Sequence, residues 1–101
     1  MRIEVIGKSN LAVTEAMRTH AASKAEKLPK FFDGVQLVTF LLSKADHAHT
    51  PQFTVELVVD VEKHADIVAN VVGEDLYAAI DQAVQKGIRQ LTELKERLKG
   101  H

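Results

Sequence analysis

The histidines are the first residues whose chemistry suggests a metal site or a general base. His47 and His49 flank Ala48, with Asp46 beside them, so that a cation could use two imidazoles and a carboxylate. Their spacing matches no strong zinc pattern, and histidines in polar loops usually only solvate a turn. His20 lies at the edge of an apolar helix face, where we interpret it as a packed, neutral imidazole. We therefore predict no metal site and no cofactor.

The sequence contains no pattern typical of a catalytic nucleophile. The chain contains no cysteine, which excludes disulfides, thiolate zinc sites and a cysteine nucleophile. Ser9, Ser23 and Ser43 stand outside any nucleophile-elbow context, and no glycine-rich phosphate loop is present. The acids Glu56 and Asp60 alternate as expected on a solvent-facing sheet surface. The sequence indicates a protein that is not an enzyme and has no catalytic residues.

The distribution of charge is more informative than its total. The 101 residues carry 13 Lys and Arg against 14 Asp and Glu, for a net charge of −1. This balance argues against a uniformly basic nucleic-acid coat, yet it allows a surface on which charge is segregated. Residues 18–30 and 86–99 together hold nine basic residues and three acids, whereas the remainder holds four basic residues and eleven acids. We expect basic helices beside an acidic sheet.

Two helices and four strands are predicted around these basic segments. The first strand spans Arg2 to Ile6, and the next three span Val35 to Ser43, Phe53 to Val61 and about Ala65 to Val72. A first helix is capped by Thr14 and stopped by Pro29. A second is opened by Gly73-Glu74-Asp75 and runs to about Lys99.

The predicted order is β-α-β-β-β-α, an α+β fold with a four-stranded sheet and two helices packed on one face. The last three strands should form an antiparallel meander. The register of the second strand stays open, since a one-residue slip would exchange Val38 and Phe40 with their neighbours on the outer face. No apolar run approaches the ~20 residues of a membrane span. We expect a single cytoplasmic domain.

Three cations of the second helix lie close together on a helical wheel. Arg89, Lys86 and Arg97 fall within about 80° of each other, beside the apolar stripe. Such an arrangement suits contacts to phosphates. A solvated helix face gives the same pattern, and Glu93 stands four residues from both Arg89 and Arg97, where it can pair with them. Both interpretations stay open on the pattern alone.

The stretch EDLYAAIDQAVQKGIRQLTELKERLK resembles the signature helix of the ribosome hibernation promoting factor and ribosome-associated inhibitor family. That family carries an acid-Met/Leu-Tyr-x-Ala-Ile-Asp segment followed by Lys and Arg-Gln-Leu. The matching residues are Asp75, Leu76, Tyr77, Ala79, Ile80, Asp81, Lys86, Arg89, Gln90 and Leu91. The front of the chain, IEVIGKSNLAVTEAMR, resembles the family's first strand, Gly-Lys turn and helix start. The resemblance covers nearly the whole chain.

The resemblance implies a translation factor of the short type, with residues 1–101 forming a single ribosome-binding domain. Such a protein occupies the decoding channel of the small ribosomal subunit, where messenger and transfer RNA would sit, and represses translation. The implied partner is the small subunit with its ribosomal RNA, and neither DNA nor a membrane is expected. The predicted RNA-contacting residues are Lys8, Arg18, Lys24, Lys27, Lys86 and Arg89, supported by Lys95, Arg97 and Lys99.

Two other functions stay open. A free-standing module for double-stranded RNA also uses a sheet with helices on one side. A protein-interaction domain is suggested by the "sigma factor modulation" label sometimes given to the family. The outer face of the sheet, with Val58 and Val68, further predicts a weak homodimer that is separate from RNA binding.

Overall fold

The computed structural model describes residues 1–8, 11–45 and 50–100. The strands and helices follow the predicted order and are β1 (Arg2–Gly7), α1 (Glu15–Ala25), β2 (Val35–Ala45), β3 (Gln52–Val61), β4 (Ile67–Gly73) and α2 (Leu76–Lys99). A short 3-10 helix spans Leu28–Lys30. The predicted β-α-β-β-β-α fold is confirmed.

The four strands form one sheet whose spatial order, β1-β2-β3-β4, equals their order in the sequence. β1 pairs with β2 in parallel, because the chain returns through the α1 crossover before β2 begins. β2, β3 and β4 pair antiparallel as the predicted meander. β1 and β4 are therefore the two edge strands.

Capping residues fix the start of each helix. The hydroxyl of Thr14 accepts a hydrogen bond from the backbone N–H of Met17 at 3.2 Å. Before α2, the Asp75 carboxylate accepts from the backbone N–H groups of Tyr77 and Ala78 at 3.0 and 3.2 Å. The 24 residues of α2 extend about 36 Å, so this helix can cross the whole sheet.

α1 ends earlier than the sequence predicts. Its last residue is Ala25, and Leu28 belongs to the 3-10 helix instead. The bond from the N–H of Lys27 to the carbonyl of Lys24 already has 3-10 spacing, and Pro29 disfavours α-helical geometry at the residue before it. Leu28 is nevertheless fully buried, as the predicted apolar face requires.

The hydrophobic core lies between one face of the sheet and the two helices. Val38, Phe40 and Leu42 of β2 are fully buried in it. This fixes the register that the sequence left open, and an outer patch containing Val38 and Phe40 does not form. Their neighbours Leu37 and Leu41 lie on the opposite face, which no helix covers and which we call the open face.

A close approach between α2 and β3 depends on a glycine. Gly87 is buried, and a Cβ atom on it would lie 2.9 Å from Cδ2 of Leu57 and 3.4 Å from Cδ2 of Leu28. The absent side chain lets the helix backbone pack directly on these two leucines. α2 continues without a break through this position.

Candidate nucleic-acid interface

α1 and α2 lie side by side, and polar contacts link the second half of α1 to the first turns of α2. Nε2 of His20 lies 2.8 Å from Oδ1 of Asp81, and the His20 ring meets the Tyr77 ring edge-on at a centroid distance of 5.0 Å. The ammonium of Lys24 lies 3.8 Å from the same Asp81 oxygen. His20 is half-buried, so the predicted packing of its ring is correct, but its contact with a carboxylate was not predicted.

The two segments stay together further along the chain. Leu28 lies next to Gly87, and Lys30 lines one cleft together with Lys95. Since His20 meets Asp81 upstream of both contacts, α1 with its 3-10 extension runs in the same direction as α2. The basic end of the first segment therefore meets the basic half of the second.

This cleft brings one lysine from each of the two helical segments together. Phe32 and Asp33 complete its lining beside the two lysines. Lys99 follows Lys95 by one helical turn and lies on the same side of α2. The cleft and the turn beyond it present several ammonium groups on rigid backbone, an arrangement that phosphate oxygens can contact.

Six of the nine predicted RNA-contacting side chains are exposed and take part in no hydrogen bond or ion pair within the described part of the chain. These six are Lys8, Lys27, Arg89, Lys95, Arg97 and Lys99. Glu93 stands at a spacing that would allow it to pair with Arg89 and Arg97, and it pairs with neither. Most of the predicted cations are thus available to an external anion.

Arg18 is engaged within the molecule. Its guanidinium donates to the carbonyl of Val5 at 3.3 Å and lies 3.9 Å from the Glu15 carboxylate. Val5 belongs to the β1 edge strand, so this arginine covers part of a sheet edge. Lys24, half-buried beside Asp81, is similarly committed to the contact between the helices.

Lys86 is engaged at the other edge. Its ammonium donates to the carbonyl of Asn70 at 3.0 Å, and the Gln90 amide donates to the carbonyl of Val68 at 2.9 Å. β1 and β4 are separated by three strand spacings, about 14 Å. The nine predicted residues therefore do not form one patch, because Arg18 and Lys86 lie at opposite edges of the sheet.

Sequence reasoning missed two residues of this surface. Lys30 lies in a basic segment but outside the family's Lys-x-x-Lys-Leu match, and only its place beside Lys95 shows its relevance. Gln90 matches the family motif but was given no role. Its position four residues after Lys86 was the available signal, since residues at this spacing share a helix face.

The described residues offer little for metal chemistry. Within residues 1–8, 11–45 and 50–100, no three His, Cys, Asp or Glu side chains come together in a way that could hold a metal ion. The candidates Asp46, His47 and His49 lie outside these residues. In the part of the chain that the structure covers, neither helix has the length and apolar character needed to cross a membrane.

Comparison with known proteins places this architecture among ribosome-associated proteins. Residues 3–99 match the family described as "Sigma 54 modulation protein / S30EA ribosomal protein". The chain is 35% identical, over 101 residues and the full length of both proteins, to the ribosome hibernation promoting factor of Escherichia coli strain K12. It is 31% identical to the protein of the same name from Azotobacter vinelandii, over 96% of this chain and 85% of the relative.

Solved structures agree with the fold. The N-terminal domain of Thermus thermophilus Protein Y superimposes with a TM-score of 0.80 and 30% identity, covering 93% of this chain and 99% of that domain. A ribosomal subunit interface protein from Coxiella burnetii gives a TM-score of 0.81 at 19% identity, covering 94% and 98%. The second likeness concerns the fold alone.

Proposed function

The chain belongs to the family described as sigma 54 modulation protein / S30EA ribosomal protein, and we propose that it is a ribosome hibernation factor that binds ribosomes and represses translation. Relatives that are 35% identical over the full length of this chain carry the name ribosome hibernation promoting factor. This membership agrees with the resemblance of the α2 sequence to the family's signature helix.

The observation that carries the proposal is the set of unengaged cations on the helical side of the molecule. Lys27, Lys95 and Lys99 extend from two segments whose relative position is fixed by buried contacts, and Arg89 extends from the outer side of α2. Because the backbone of both segments is already fixed, binding has to order only the side chains, and their contacts release counterions from a phosphate backbone. Folded ribosomal RNA is a ligand of this kind, recognised by shape more than by sequence.

For the binding position, we propose the decoding channel of the small subunit. The described residues extend over 51 × 24 × 18 Å. A stiff body of this size excludes messenger and transfer RNA by volume, and no chemical step is needed. The protein would accordingly act as a non-enzymatic, cytoplasmic repressor.

The acidic and apolar open face supports a contact with protein in addition to RNA. Within residues 1–8, 11–45 and 50–100, this face is the feature that favours the protein-interaction alternative. The weak homodimer predicted through the same face stays a prediction. For a free-standing module that binds double-stranded RNA, no feature of the structure adds support beyond the general layout of the fold.

A co-sedimentation experiment tests the proposed function. Purified protein is mixed with small subunits, large subunits or naked duplex RNA, and each mixture is separated on a sucrose gradient. We expect the protein to migrate with small subunits and to reduce translation in a reconstituted system. Equal binding to naked duplex RNA would favour the double-stranded-RNA module, and absence from all ribosomal fractions would contradict the proposal.

A further inference from the structure

The open face of the sheet combines apolar side chains with acids, and Arg2 on the same face is already paired with Glu4 over 2.6 Å. Because buried and outward residues alternate along each strand, the face can be assigned from the register. Its apolar members are Ile6, Leu37, Leu41, Val58, Val68 and Val72. No helix covers them.

The apolar side chains form neighbouring pairs across the strands. Ile6 is the register partner of Leu41, and Val58 is the partner of Val68. Ile6 is 44% exposed and Val68 is 41% exposed, so both halves of the sheet leave apolar surface in contact with solvent. Contiguous apolar surface on a sheet face is typical of an interaction site.

A carboxylate in the middle of this face has no partner. Glu56 is half-buried between Leu41 on β2 and Asn70 on β4, and among the described residues it makes no ion pair or side-chain hydrogen bond. Asp60 has only a 3.5 Å contact with the Gln36 amide. A cation from outside would find both carboxylates available.

Both sheet edges, by contrast, are partly occupied by side chains of the helices. Arg18 occupies a β1 carbonyl, and Lys86 and Gln90 occupy two β4 carbonyls. An added strand would have to displace these donors. A partner therefore approaches the flat face and not an edge.

We propose that the open face binds a basic, partly apolar segment of a ribosomal protein while the helices face RNA. The inference rests on the proposed function and adds a second class of partner to it. Acids on this face repel phosphate, which argues against RNA as the occupant. Two copies of the face would bring Glu56 and Asp60 against like charges, which argues against a symmetric dimer. Lysine or arginine with aliphatic neighbours complements both the charge and the apolar pairs.

Site-specific photocrosslinking tests the identity of the occupant. A photoreactive amino acid replaces Thr39, which lies in the register row of Val58 on the open face, or Gln85, which is exposed on α2. Each protein is bound to purified small subunits and irradiated. We expect adducts from position 39 with ribosomal protein and adducts from position 85 with ribosomal RNA.

The remaining outcomes overturn the inference in distinguishable ways. Three outcomes would reject the basic protein segment and leave the proposed function standing. Position 39 could crosslink to RNA only, it could crosslink to a second copy of the chain, or it could give no adduct while position 85 reacts. Absence of adducts at both positions, together with absence of co-sedimentation, would reject the proposed function and the inference with it.

A second, independent test removes negative charge from the open face and measures whether the affinity for small subunits falls or rises. Glu56→Gln combined with Asp60→Asn removes two acids from the open face and keeps side-chain volume. If the occupant is basic protein, affinity for small subunits should fall by about threefold or more, the size of a partly exposed ion pair. If RNA lies on this face, affinity should rise instead, and unchanged affinity would also overturn the inference. Glu74→Gln, an exposed acid outside the face, is the matched control.

Discussion

The ammonium of Lys86 donates a hydrogen bond to the backbone carbonyl of Asn70 over 3.0 Å. One helical turn later, the amide of Gln90 donates to the carbonyl of Val68 over 2.9 Å. α2 thus occupies two outward-facing acceptors of the β4 edge strand. Open edges are templates for pairing with another chain, and these donors occupy two of the β4 acceptors that such pairing would use.

Removing both donors should make the protein self-associate. Lys86→Met with Gln90→Met keeps side-chain length but leaves the β4 carbonyls open, so sedimentation velocity should show oligomers whose fraction rises with concentration. Gln85→Met with Arg89→Met introduces the same two residues four positions apart on the exposed side of α2, and this variant should stay monomeric. Equal behaviour of the two variants would contradict the role of the donors.

Ribosome binding should weaken steeply with salt. If several phosphate contacts carry the affinity, its logarithm falls linearly with the logarithm of salt concentration, with a slope of about −0.7 to −0.9 per contact. The unengaged cations Lys27, Arg89, Lys95 and Lys99 would supply a slope of magnitude about 3. Binding measured from low to moderate salt gives this slope, and a flat profile would rule out an electrostatic interface.

Neutralising Lys95 of the cleft together with Lys99, one helical turn beyond it, should reduce that slope. Lys95→Gln with Lys99→Gln removes two expected phosphate contacts, so the slope should lose about one unit of magnitude for each. Both side chains are exposed and unpaired in the described structure, so thermal unfolding should not change. The matched control is Lys63→Gln, an exposed lysine on the turn between β3 and β4. If the control weakens binding as much, the contribution of the cleft is not specific.

A larger side chain at Gly87 should destabilise the fold. In Gly87→Val, Cβ would already lie 2.9 Å from the buried Leu57 side chain, so we expect the free energy of unfolding to fall by about 1–3 kcal/mol, as for overpacked cores. Gln85→Val places the same residue on the exposed side of α2, where only helix propensity changes, by about 0.5 kcal/mol. Urea denaturation compares the two variants, and equal losses would show that the close approach to β3 is unimportant.

The Asp75 cap should contribute measurably to stability. Asp75→Ala removes the acceptor for two backbone N–H groups at the start of α2, so the free energy of unfolding should decrease by about 1 kcal/mol. Glu74→Ala removes an acid one residue earlier that makes no such bond and should have a smaller effect. Urea titrations of the two variants would reject the cap if the losses were the same.

The fold could be predicted from the sequence because most helices and strands have a clear local pattern of capping residues or alternating apolar residues. Thr14 and Asp75 mark the helix starts, and the alternation along β3 places Val55 and Val59 in the core. β2 is different, since its apolar residues occur on both faces and its pairing with β3 is irregular between Val35 and Leu37. Register there is determined by packing against the rest of the sheet, which no local pattern in β2 reveals.

The sequence predicted a set of basic residues for the candidate site, but it could not predict how they are arranged on the surface. The basic segments are evident in the sequence, and six of the nine predicted cations are unengaged among the described residues. Arg18 and Lys86 were assigned to RNA, but each bonds a backbone carbonyl of an edge strand. Those partners become neighbours only when the helices pack on the sheet. Lys30 gains significance for the same reason, through its tertiary neighbour Lys95.

The parallel pairing of β1 with β2 affects when the nascent chain can fold during its synthesis. Translation produces β1 and α1 first, yet β1 has no partner strand until β2 has been made. In the folded protein, Phe40 of β2 belongs to the same buried core as Ile80 and Leu91 of α2. The core that covers the sheet can therefore be completed only after α2 has been synthesised, and the strands made earlier lack this part of their cover until then.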